Sequence, residues 1–169
     1  MVIAPPPAAV DPRAVMAALN EVADPEIPAV SIVELGMIGG VDVSDEIAVE
    51  LLPTFVGCPA LEVIRDAIAV RLGAFGRPVR VDVSFSPPWS SDRISPAGRE
   101  KLRGSGFAPP PPTRPGRGLP MLGASEAQVE CPYCGSSRTT LENVFGPTQC
   151  RSIRHCADCR QPFEAFKPI

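Results

Sequence analysis

Apolar side chains follow two different periods along the first part of the chain. They recur every three or four residues before residue 24 and between residues 61 and 72, the spacing of a helix with one buried face. Between residues 41 and 51, and again from residue 79 to residue 85, apolar and polar side chains alternate, which is typical of strands with one buried face. A strand, a helix and a second strand in this order imply a parallel pair. We therefore expect an α+β domain over residues 10–86, with a three-stranded mixed sheet and two or three helices.

Proline indicates where the first helix begins and ends. Asp11 followed by Pro12 predicts its start, because aspartate caps free backbone N–H groups and proline fits the first helical position. Asp24 followed by Pro25 predicts its end, since the residue before a proline is disfavoured in a helix.

The character of the sequence changes after residue 86. A serine cap at Ser95 predicts a short helix, and the proline- and glycine-rich stretch from Gly104 to Pro120 predicts an extended linker. Trp89, the sole tryptophan, either folds back on the first domain or serves a partner surface. The predicted segments are a first domain over residues 10–86, a helix and linker over residues 87–126, and a metal-binding domain over residues 127–169.

The overall composition argues against several classes of partner. The chain has 169 residues, 44% of them hydrophobic, with a formal net charge of −3, which gives no reason to expect non-specific binding to nucleic acid. Its apolar runs are too short for a transmembrane span, and its first residues lack the pattern of a signal peptide. We therefore expect a cytoplasmic protein with reduced thiols and with neither nucleic acid nor a membrane as partner.

Two Cys-x-x-Cys pairs form the strongest motif in the sequence. Cys131 and Cys134 make the first pair, Cys156 and Cys159 the second, and the spacing is that of a four-thiolate zinc ribbon. A segment of this size cannot bury enough apolar surface to fold alone, so a structural zinc ion would supply the folding free energy, about 10–16 kcal/mol. Rubredoxin-like iron is the alternative, because the same ligands bind either metal.

Cys150 and His155 remain outside this motif. A buried thiol and a surface imidazole are the ordinary interpretations, and an additional metal site is the alternative. His155 is the only histidine, so a Cys–His nucleophile pair with Cys58 requires the metal-binding domain to fold back onto the first domain.

Cys58 lies where the second strand is predicted to turn into the second helix. Gly57 allows a sharp turn and Pro59 suits the first helical position, so Cys58 is predicted at a helix N-terminus, where the dipole favours a thiolate. A small apolar residue that fills the core is the alternative interpretation. Asp24 and Glu26 are either solvated loop charges or parts of a site with Cys58.

Several motifs resemble known families. Residues 24–28, 32–38 and 53–59 resemble the small domain shared by SufT-like bacterial proteins and the eukaryotic cytosolic iron–sulfur targeting proteins. Residues 86–92, residues 101–102 with 106–110, and residues 159–167 resemble the PaaJ family, the D components of bacterial phenylacetyl-CoA epoxidases.

The resemblance implies a role in aerobic phenylacetate degradation, in a monooxygenase system with a di-iron oxygenase and an iron–sulfur flavin reductase. The chain would be an accessory protein and no enzyme: it would assist assembly of a metal cluster, an iron–sulfur cluster above all, in one of those partner subunits. A purely structural subunit that tethers the oxygenase components is the alternative, and homodimerisation is left open.

The resemblance also assigns roles to residues. It implies structural zinc in the four-cysteine ribbon and a transient iron–sulfur cluster or iron ion at the first domain. Residues 146–150, which end at Cys150, also resemble the family. The positions that it marks as handling a cluster are Asp24, Glu26, Thr54 and Cys58.

Overall fold

The computed structural model describes residues 10–111 and 128–167. The described residues form three α-helices and seven β-strands in two sheets. The helices are α1 (Pro12–Leu19), α2 (Leu61–Gly73) and α3 (Pro96–Gly104). The strands are β1 (Ile38–Val43), β2 (Ile47–Leu51), β3 (Val79–Val83), β4 (Phe107–Ala108), β5 (Thr139–Asn143), β6 (Arg151–Cys156) and β7 (Pro162–Phe166).

The first sheet confirms the predicted three-stranded mixed arrangement. Strand β2 lies in the middle, antiparallel to β1 and parallel to β3. Its apolar residues Ile47, Val49 and Leu51 are fully buried while the residues between them are half-buried, as the alternating pattern predicts. Helix α2 packs on this sheet through Ile64, Ile68 and Leu72. The first domain is therefore an α+β domain.

The bounds of two helices differ from the prediction. Helix α1 starts at Pro12 with Asp11 as its cap but ends at Leu19, because the chain beyond Val22 bonds to a neighbouring loop instead: Asp24 N–H donates to Val30 O at 2.9 Å. Helix α2 begins at Leu61 and not at Pro59. Cys58 therefore lies in the turn before the helix rather than at its first positions.

Residues 89–104 pack along the first domain. Trp89 is buried, and its indole N–H donates to the carbonyl oxygen of Leu35 at 2.9 Å, so it folds back on the domain. Helix α3 follows and buries Leu102 in the same core. Gly98 lets α3 approach closely, because a Cβ atom there would lie 2.7 Å from the carbonyl oxygen of Glu34.

The second sheet has the order β4-β7-β6-β5. Strands β5, β6 and β7 are antiparallel neighbours, whereas β4 pairs parallel to β7. Residues 107–108 fall in the stretch predicted as a linker, yet they form the edge strand β4 of this sheet. Most of the remaining predicted linker, residues 112–127, lies outside the described residues, and the predicted domain boundaries stay predictions.

The second sheet also packs against the first domain. Cys150 and Phe166 belong to the same buried apolar cluster as the first sheet and its helices. A smaller cluster that includes Cys131, Cys156 and Phe163 lies within the second sheet. The two units therefore share a core surface. Among the described residues, the helices are too short or too polar to cross a bilayer.

We predict that Gly98→Ala lowers the free energy of unfolding by about 1–3 kcal/mol, because the added methyl group overpacks the contact with Glu34. Gly104→Ala in the same helix is the matched control, since a Cβ there meets no atom within 4 Å. Urea unfolding should show a neutral or slightly stabilising effect for the control. Equal effects of the two substitutions would contradict the close approach.

Candidate functional site

Four cysteine sulfurs converge at one end of the second sheet. The Sγ atoms of Cys131, Cys134, Cys156 and Cys159 all lie within 4.8 Å of one another, and the pairs Cys131–Cys159 and Cys134–Cys156 are 3.6 Å apart. Four thiolates placed tetrahedrally at about 2.3 Å from a zinc ion lie about 3.8 Å apart. The geometry of the group therefore fits a tetrahedral metal ion, and the chain has a cysteine metal-binding group in a zinc-ribbon fold.

Each Cys-x-x-Cys pair turns through a left-handed backbone position. The N–H of Gly135 donates to Cys131 O and the N–H of Arg160 donates to Cys156 O, both at 2.9 Å. Gly135 has φ +73° and Arg160 has φ +59°. A side chain disfavours this conformation, so the second turn is strained by about 1–2 kcal/mol relative to the first. The sequence already indicated this difference, because arginine replaces glycine at the equivalent position.

Four adjacent thiols cannot all ionise without a cation. The backbone N–H of Cys159 lowers the pKa of Cys156 to about 7. The pKa of Cys159 is instead raised to about 12: the N–H of Gln161 lowers it, but burial and its hydrogen bonds with the neighbouring cysteines outweigh that effect. A bound dication removes this conflict by stabilising every thiolate.

The structure places His155 away from both sets of cysteines. It lies within β6, where it pairs with Thr140 on β5 and Pro162 on β7. Among the described residues, it is neither part of the four-cysteine group nor in the lining of the cavity that contains Cys58. The Cys58–His155 nucleophile pair is therefore not formed.

A cavity of about 30 Å³ lies where the second sheet meets the first domain. The residues that the sequence marked as handling a cluster all line it: Asp24, Glu26, Thr54 and Cys58. Cys150 and its neighbour Thr148 line it from the opposite side. Sequence reasoning grouped the first four and left Cys150 apart, because nothing local shows that such distant parts of the chain meet.

Tight turns position the side chains from the first domain. Gly57 has φ +81°, which allows the chain to turn before Cys58. Asp24 Oδ1 accepts hydrogen bonds from the N–H groups of Glu26 and Ile27, both at 2.9 Å, and so fixes its own loop. Burial raises the pKa of Asp24, although these N–H groups and Arg151 act in the opposite direction.

The expectation of a stabilised Cys58 thiolate is wrong for this structure. Burial raises the pKa of Cys58 above its ordinary value of 9.0, and Cys150, Glu26 and Asp24 raise it further, while the N–H of Ala60 lowers it. Because α2 begins only at Leu61, the helix end does not outweigh burial. Cys58 is therefore a protonated thiol at neutral pH in the metal-free protein.

Arg151 connects the two sides of the cavity, and sequence reasoning assigned it no role. Its buried guanidinium group lies 3.2 Å from Glu26 Oε2 and 2.8 Å from Glu164 Oε2, and its Nε donates to Thr148 Oγ1 at 2.7 Å. The one available signal was its position directly after Cys150. The ion pair with Glu26 joins β6 to the loop that contains Asp24.

One relative whose family is known matches nearly the whole chain. A protein of Escherichia coli strain K12, provisionally named as the D component of 1,2-phenylacetyl-CoA epoxidase, is 37% identical over 157 residues, which are 92% of each chain. The chain belongs to this epoxidase component family. The family model for the zinc β-ribbon domain of PaaD matches residues 117–167 of this family member, and the model for iron–sulfur cluster assembly proteins matches residues 12–85.

Other relatives match about half of this epoxidase family member. An Fe–S protein maturation auxiliary factor of Porphyromonas gingivalis is 33% identical over 81 residues, 46% of this chain and 76% of that protein. A solved domain of unknown function from Bacillus anthracis covers 53% of this chain and 89% of its own at 29% identity, with a TM-score of 0.49. A conserved hypothetical protein from Thermotoga maritima covers 56% and 95%, at 28% identity and a TM-score of 0.48.

We predict that alkylation of Cys58 by iodoacetamide has a pH midpoint above 9.0, because only the thiolate reacts and burial disfavours it. Asp24→Asn should lower that midpoint, since it removes a nearby negative charge but keeps an oxygen that accepts the two backbone N–H groups. Peptide mass spectrometry over a pH series measures both.

Asp66→Asn is the control, because Asp66 lies on the exposed face of α2 and does not contribute to the shift at Cys58. A wild-type midpoint at or below 9.0, or equal effects of the two substitutions, would contradict the electrostatic account of the cavity.

Proposed function

We propose that the chain is an accessory, non-enzymatic part of a phenylacetyl-CoA monooxygenase system, and that it assists assembly of an iron–sulfur cluster in a partner protein of phenylacetate degradation. The observation that carries the proposal is the cavity shared by Cys58, Thr54, Asp24 and Glu26. The family membership and the name of the Porphyromonas gingivalis relative support the same role.

The chemistry of the cavity supports metal handling rather than catalysis. Thiol and carboxylate ligands bind iron, and they can release it when a partner offers better ligands. A nucleophilic cysteine would need a base or a cation that lowers its pKa, whereas Asp24 and Glu26 raise the pKa of Cys58. The cavity therefore suits a thiol that becomes a thiolate only when a metal replaces its proton.

Exposed apolar side chains beside the cavity support docking of a partner protein. Phe55 lines the cavity and is 38% exposed, and the adjacent Val56 is 72% exposed. Phe145 is 65% exposed on the second sheet, and its ring lies 4.8 Å from Lys167 Nζ, which also bonds to Gln149 at the cavity. Apolar groups of this kind are typical of protein contacts. We propose the oxygenase or the reductase as that partner, in the cytoplasm.

The proposed role predicts that Cys58→Ser causes a several-fold drop in the cluster content of the partner reductase when the two proteins are co-expressed anaerobically. The serine hydroxyl replaces the sulfur ligand with little change in volume. Iron and sulfide analysis of the purified reductase, together with its electron-transfer activity, measures the effect.

Val70→Ser is the matched control, because Val70 lies on α2, is 81% exposed and does not line the cavity. Full cluster content and full activity with Cys58→Ser would overturn the proposal. If Cys58→Ser were silent while Cys134→Ser abolished complex formation on gel filtration, the tethering function would replace it.

For the four-cysteine group we propose structural zinc. Purified protein should contain one zinc ion per chain, and Cys134→Ser should lose it while Cys58→Ser retains it, because only Cys134 belongs to the closed group. Elemental analysis by mass spectrometry measures zinc and iron together. One iron ion per chain in place of zinc would establish the rubredoxin-like alternative.

A further inference from the structure

The cavity is small enough to restrict what it can bind. A water molecule needs roughly 10–15 Å³ of such volume. The cavity has about 30 Å³, so it accommodates one metal ion with a water molecule beside it. A cluster with two iron and two sulfide ions would require the first domain and the second sheet to separate.

Polar neighbours hold the Cys150 side chain at the cavity. Its Sγ lies 3.2 Å from Thr148 Oγ1, and that oxygen accepts a hydrogen bond from Arg151 Nε at 2.7 Å. Because a guanidinium group can only donate, the Thr148 hydroxyl still has its own proton and could donate it to a metal-bound sulfur. These contacts fix the position of the Cys150 sulfur at the cavity.

The groups that face Cys150 across the cavity supply further ligand atoms. The Cys58 thiol and the Asp24 carboxylate line the same wall of the first domain. Thr54 is only 8% exposed, also lines the cavity, and its hydroxyl forms no hydrogen bond within the described part of the chain. The Thr54 hydroxyl is therefore available to bind a polar occupant of the cavity.

The net charge at the cavity also favours a cation. Two thiols and the carboxylates of Asp24 and Glu26 meet there, and Arg151 is shared between Glu26 and Glu164. Ionised thiols would add negative charge to a site that already contains two acidic groups. A divalent ion neutralises that charge.

We propose that Cys58 and Cys150 are paired ligands of a single ferrous ion in the cavity. This inference rests on the proposed function and adds to the site a residue that directly precedes β6. On binding, two S–H bonds break, two Fe–S bonds form and two protons pass to the solvent; iron stays ferrous throughout.

The coordination shell of such a site is open, whereas that of the four-cysteine group is closed. Among the described residues, the four cysteines are the group whose ligand atoms already lie within 4.8 Å of one another. The cavity supplies two thiolates, so coordination positions are left for water or for a ligand of the partner. Open coordination allows the ion to be passed on.

The test titrates zinc-loaded full-length protein anaerobically with cobalt(II), a spectroscopic probe for ferrous iron, and then with ferrous iron itself. Zinc should remain in the four-cysteine group because it binds such ligands more tightly than cobalt. Wild-type protein should bind one additional cobalt ion with thiolate-to-cobalt absorption. Cys58→Ser, Cys150→Ser and Cys150→Ala should each weaken binding by at least about tenfold and remove about half of that absorption.

Ser152→Ala is the matched control, because Ser152 is buried in β6 two residues after Cys150, bonds to Ala165 and does not line the cavity. Zinc content and thermal unfolding of every variant verify its fold. Unchanged cobalt affinity and absorption in both Cys150 variants would overturn the inference, as would the absence of a second ion in the wild type. Uptake of two irons with sulfide at the cavity would overturn the assignment of a single ion.

Co-expression with the partner reductase separates this inference from the proposed function. If Cys58→Ser depletes the cluster of the reductase and Cys150→Ser does not, the proposed function stands and the paired site fails. If neither variant has an effect, both fail. Depletion by both variants, with Ser152→Ala normal, supports both.

Discussion

The guanidinium group of Arg151 determines how the second sheet sits on the first domain. Its side chain is 7% exposed and lies between the carboxylates of Glu26 and Glu164. A charge buried to this degree is tolerated only when it is paired, and loss of the pair leaves uncompensated charges behind. Because Arg151 directly follows Cys150 and bonds to Thr148, the same contacts fix the thiol at the cavity. This ion pair thus links the geometry of the site to the packing of the two units, which also share a buried apolar cluster.

Local patterns in the sequence were sufficient for much of this fold. Alternation at Ile47, Val49 and Leu51 predicted β2, and the spacing of the four cysteines predicted the ribbon, because each signal depends on neighbours in the chain. Features that depend on contacts between distant parts of the chain could not be predicted from the sequence. Strand β4 consists of only two residues, and it is a strand because it pairs with β7 at the edge of the second sheet. Cys150 likewise lies at the Cys58 cavity because the two units pack together. The spacing of apolar residues along the chain does not predict such packing.

The two sulfur sites illustrate how one ligand type serves two purposes. In the ribbon, short turns at Gly135 and Arg160 bring four sulfurs together, at the cost of a strained backbone at Arg160. At the cavity, burial keeps Cys58 protonated, and only part of a coordination shell is present. The closed shell suits a resident ion that supports the fold. The partial shell suits an ion that leaves.

The position of the cavity between two units also sets an order of events during synthesis. The ribosome completes the half of the cavity formed by residues 24–58 long before Cys150 emerges, and domains tend to fold as they appear. For that interval the first domain has a lone thiol without its counterpart. The second half is added only when the later strands have formed the second sheet and paired with β4. With the proposed ferrous site, a newly made chain would become able to accept iron only at the end of its own synthesis.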